Sequence, residues 1–98
     1  MSYARKVVLS YPYGATSKLD DLVEEFIRDG VIYVGVVGNQ CAYVEDLIDE
    51  IVVGDGDRGC SILTASHPGE PIEEAVRFAR ALTAEFAGDD VQTVELPL

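Results

Sequence analysis

The sequence is poor in basic residues, in cysteine and histidine, and in long apolar runs, and each shortage removes a class of function. Seven Lys and Arg stand against 18 Asp and Glu, for a formal net charge of −11. Nucleic-acid affinity rests mainly on basic side chains displacing counterions from phosphates. Arg5, Lys6, Lys18, Arg28, Arg58, Arg77 and Arg80 are spread along the chain, so neither nucleic acid nor an anionic membrane surface is an expected partner. The two cysteines, Cys41 and Cys60, have no paired spacing, and His67 is the single histidine. No structural zinc set follows from these residues, and free thiols in a reducing cytoplasm are the expectation. No apolar run approaches the roughly 20 residues of a membrane span. Arg5 and Lys6 precede Val7-Val8-Leu9, a run too short for the apolar region of a signal peptide.

Familiar motifs are missing as well. No G-x-G-x-x-G follows the first apolar run, which removes the dinucleotide fingerprint. Gly14-Ala-Thr-Ser-Lys18 lacks the Gly-Lys-Ser/Thr order of a phosphate loop, and Asp20 and Asp21 follow it. A helix start carrying two carboxylates is a poor anion site. Asp55-Gly-Asp-Arg-Gly59 resembles the start of a calcium loop, but Arg58 intrudes and Ser66 stands where the distal glutamate belongs. A receiver domain would need an acidic pair after the first strand and an aspartate after the third, where Ser10-Tyr11 and Ser66-His67 stand. Neither cysteine begins the Cys, five residues and Arg of a low-molecular-weight phosphatase. No cofactor and no metal site is expected.

What is present is regular alternation. Lys6 to Ser10 is a short β-branched run closed by Pro12 and Gly14. Val31 to Val37 is apolar on both faces, as suits a covered parallel strand, with Gly35 marking a close approach. Cys60 to Ala65 forms a third run, and Val91 to Leu96, with polar residues interleaved and Pro97 following, reads as an edge strand. Between them lie apolar stripes at helical spacing: Leu19, Leu22, Val23, Phe26 and Ile27, stopped at Gly30; then Val44, Leu47, Ile48, Ile51 and Val52, stopped at Gly54. The last helix starts at Pro71, and its stripe of Ile72, Ala75, Val76, Ala79, Leu82 and Phe86 ends at Gly88.

The order β-α-β-α-β-α-β predicts a single α/β domain over residues 1–98, with a four-stranded, mainly parallel sheet and helices on both faces. The two-faced apolarity of residues 31–37 favours strand order 3-2-1-4 over 2-1-3-4.

Ligands of open parallel sheets bind at the carboxyl ends of the strands. That rule gathers Ser10, Tyr11, Tyr13, Asn39, Gln40 and Ser66 as candidate ligand-binding residues. The second helix opens with uncharged Asn39-Gln-Cys-Ala, so Cys41 stands where exposed amides would stabilise a thiolate. With His67 as base it forms a candidate catalytic pair for nucleophilic hydrolysis, oriented by Glu70 if at all. The set is incomplete. The sequence is therefore read first as a small acidic cytoplasmic domain for protein association or regulation without catalysis. A homodimer or another protein is its expected partner. A small-molecule or hydrolytic site using Cys41 and His67 is the alternative.

Overall fold

Tyr33 to Val37 presents no polar face to water, because Gly35 has no side chain and the Tyr33 ring lies along the strand. A computed structural model of the protein describes residues 3–10, 19–38, 40–54, 62–83, 87–88 and 90–95. In it this segment is β2 (Tyr33–Val37), buried at every residue. The remaining elements are β1 (Lys6–Ser10), α1 (Leu19–Asp29), α2 (Cys41–Gly54), β3 (Leu63–Ser66), α3 (Ile72–Arg80) and β4 (Val91–Glu95). The four strands are parallel in the order β3-β2-β1-β4, the arrangement favoured by the sequence. Val8 pairs with Gly35 on one side and with Thr93 on the other, which puts β1 and β2 inside and β3 and β4 at the edges.

Strand alternation divides the core in two. Val7, Leu9, Val34 and Val36 face α1 and α2, while Val8, Tyr33 and Val37 face α3. Helix α1 buries Leu19, Leu22, Val23 and Phe26, the stripe that its spacing predicts, each worth about 1.5–3 kcal/mol when fully buried. It stops at Gly30, whose φ of 83° lets the Val31 amide donate to the Phe26 carbonyl at 3.0 Å. Helix α3 meets the sheet through Ala75 and Ala79, both fully buried; their small side chains let it lie close over β1 and β2.

Three boundaries differ from the sequence reading. β2 begins at Tyr33 because the Val31 amide is used by the α1 stop and the Ile32 amide donates to Arg5 O at 2.8 Å. β3 begins at Leu63, whose amide donates to Ile32 O at 2.9 Å; Cys60 lies outside the described residues. α3 ends at Arg80, short of Phe86, and the Ala81 amide closes it on the Arg77 and Phe78 carbonyls at 3.1 Å. A buried cation explains that stop. The Lys6 ammonium donates to Ala79 O at 2.7 Å and to Gly88 O at 2.6 Å. Leu82 still packs on the core below α3, but from beyond the helix.

Candidate functional site

The carboxyl ends of the strands carry the residues singled out from the sequence, and the fold distributes them over two faces. Ser10 ends β1, half-buried, opposite both Val37 and Glu95; alternation from Val8 turns it toward α3. Ser66 pairs with Val36 on β3, so it belongs to the face of α1 and α2. Gln40 is exposed and holds a φ of 58°, a left-handed conformation that costs a non-glycine residue about 1–2 kcal/mol. Gly38, with φ 107°, shares this tight passage from β2 into α2. Tyr11, Tyr13 and Asn39 lie outside the described residues.

Cys41 is the first residue of α2, at the helix start expected for it. Its side chain points inward, 1% exposed, in the cluster with Leu19, Val23 and Val44. His67 follows β3 and is also buried, but its ring packs edge-on against Phe78 of α3 at 5.2 Å between centroids. The two side chains therefore stand on opposite faces of the sheet, and the expected nucleophile–base pair is not assembled. The reason is strand parity. Helix α2 crosses on one face, whereas His67 falls in step with Leu63 and Ala65, whose side of the strand faces α3.

His67 does have the carboxylate that the sequence left open: Nδ1 lies 3.4 Å from Glu70 Oε1. Its Nε2 is buried and has no hydrogen-bond partner among the described residues. Tyr33 Oη shares that condition, and its ring also lies near Phe78, at 6.4 Å. Tyr33 runs along β2 over Gly35, where a Cβ would come within 2.9 Å of Oη. Burial, with the Glu45 carboxylate adding to it, pushes the Tyr33 phenol up to about 12. In the sequence Tyr33 stands only as one member of the apolar run from Val31 to Val37. The available signal was a glycine two positions on, hence on the same face.

The opposite side of α3 forms an open groove of about 420 Å³ lined by Ile72, Glu73, Val76, Arg77, Arg80 and Thr93. Its floor is apolar, and it runs beside edge strand β4. On the far side of the sheet, the Thr64 hydroxyl lies 2.7 Å from Asp49 Oδ1 and 3.1 Å from Glu45 Oε2, so one proton serves two α2 carboxylates and ties α2 to β3. Neither feature was marked in advance; each depends on which face a helix crosses. No three His, Cys, Asp or Glu among the described residues are grouped to hold a metal ion. No helix among them is long and apolar enough to cross a membrane.

No curated protein and no solved structure matches the chain. A family model described as a domain of unknown function, DUF7684, matches residues 6–96, a span that runs from β1 through β4. The chain belongs to that family.

Proposed function

We propose that this domain is a protein-association module without catalysis, working in a reducing cytoplasm. The observation that carries the reading is an apolar groove at the margin of the sheet on the α3 side, open among the described residues. Among those residues one helix, α3, packs on that face, and the groove lies between it and edge strand β4. At the other margin Leu63 and Phe78 remain 45% and 46% exposed. An edge strand with free backbone groups next to an apolar groove is suited to receive another polypeptide. The burial of Cys41 away from His67 supports the same reading, since a nucleophile needs its base within hydrogen-bond reach. Light scattering across a dilution series tests it. The expected result is a weight-average mass that rises with concentration above that of one chain. A mass fixed at one chain throughout contradicts self-association.

One observation favours a second reading, a small-molecule site beneath Phe78, whose ring lies near those of both Tyr33 and His67. Tyr33 Oη and His67 Nε2 are buried polar atoms lacking partners among the described residues, and an unmade hydrogen bond on a buried group costs about 1–3 kcal/mol. A small polar molecule with a donor and an acceptor would relieve both. Under this reading the freshly purified protein carries a non-covalent adduct, and Phe78→Ala, which uncovers both groups, releases it.

A further inference from the structure

We infer that the α3–β4 groove is a self-association surface, on which a second copy of this chain seats its own α3 and β4 across a two-fold axis. The inference rests on the association reading and names the partner.

Helix α3 is charged in opposite senses at its two ends, with Glu73 and Glu74 in the first turn and Arg77 and Arg80 in the last. Glu73, Val76, Arg77 and Arg80 line the groove and fall at i, i+3, i+4 and i+7, one stripe of one helix. A partner of uniform charge would meet a like charge at one end of that stripe. A two-fold axis instead reverses the direction of the second helix and makes the surface complementary to itself. Glu73 then faces Arg80 of the partner subunit, Arg80 faces Glu73 of the partner subunit, and Val76 and Arg77 occupy the middle of the stripe, Val76 opposite Arg77 of the partner subunit.

The strand beside the groove agrees with this symmetry. Among the described residues β4 pairs with β1 on one side and with no strand on the other, and Gln92, Thr93 and Glu95 are exposed. The same axis sets two β4 strands antiparallel about Thr93, and their free edges then join both sheets into one. The net charge of −11 on each copy opposes association, so the interface depends on these local pairs of opposite sign.

The test uses Glu73→Arg and Arg80→Glu, both at exposed positions, with circular dichroism to verify the fold and native mass spectrometry to count chains. The parent protein is expected to dimerise. Each variant alone puts like charges together twice across the axis, and its dimer is expected to weaken at least about tenfold. Mixing the two variants makes both 73–80 pairs across the axis opposite again, so a heterodimer of intermediate mass should form in preference to either weakened homodimer. Thr93→Lys, which brings two cations together at the axis, is expected to weaken the dimer without touching α3. A parent dimer that neither charge reversal disturbs overturns this surface and leaves the association reading standing. A monomeric parent overturns both.

Discussion

Lys6 and Ala79 are joined beneath α3: the Lys6 ammonium donates to the Ala79 carbonyl oxygen at 2.7 Å, and to that of Gly88 at 2.6 Å. The lysine is 2% exposed. It supplies a donor to the last turn of α3, where carbonyl groups lack partners within the helix, and places a positive charge at the negative end of the helix dipole.

Replacing Lys6 with Met keeps the apolar stem and removes the donor. Two carbonyl oxygens then lose a charge-assisted bond, and the expected loss is about 2 kcal/mol of stability, read as a lower urea midpoint. A midpoint unchanged from the parent would show that α3 stops for another reason.

Tyr33 and Gly35 form a second coupled pair. A Cβ at position 35 would lie 2.9 Å from Tyr33 Oη and 3.3 Å from Cε2, so Gly35→Ala is expected to destabilise by about 1–3 kcal/mol. Tyr33→Phe removes a buried hydroxyl without a partner among the described residues, and should be neutral or slightly stabilising. Together the two changes should cost less than their sum, with recovery incomplete because the contact to Cε2 remains. Strict additivity in the double-mutant cycle would contradict this packing.

The Tyr33 phenol also sets an alkaline limit. Its folded value of about 12 lies above the ordinary 10.0, so its contribution is fully present below pH 10. Between pH 10 and 12 the unfolded chain releases the proton and the folded chain keeps it. Stability therefore falls as pH rises through that window, by about 3 kcal/mol in total. Tyr33→Phe should flatten the fall. Tyr3 leaves a residual slope, because burial, with Glu25 adding to it, raises its phenol in the same direction. An equally steep fall in the variant would assign the effect elsewhere.

Gln40 holds its left-handed φ of 58° without the freedom of a glycine. Gln40→Gly should raise stability by about 0.5–1 kcal/mol, since relief of the strain exceeds the added chain entropy. A lower thermal midpoint would mean that the exposed amide side chain holds the passage into α2.

Cys41 is buried in the core, so its thiol should react with a disulfide reagent at the rate at which the fold opens and be accelerated by urea. Rapid reaction in native buffer would place it in an open crevice, as the sequence alone suggested.

The sequence revealed what periodicity controls. The stripe of α1, its stop at Gly30 and the interior place of β2 each follow from residues close in the chain. The end of α3 did not, because the lysine that fixes it lies 73 residues away. The same limit applies to Cys41 and His67: each follows a strand, and the face it takes depends on how the chain leaves that strand. The groove was hidden for a related reason. The basic pair in α3 and the polar edge of β4 were each readable, yet only the crossing of α3 over one face sets them side by side.

The most direct test of the account is native mass spectrometry of freshly purified protein beside its denatured mass. A homodimer with no non-covalent adduct is the expected result. A monomer carrying a small molecule that is lost on denaturation would contradict it, and would make the buried pair of Tyr33 and His67 the functional site.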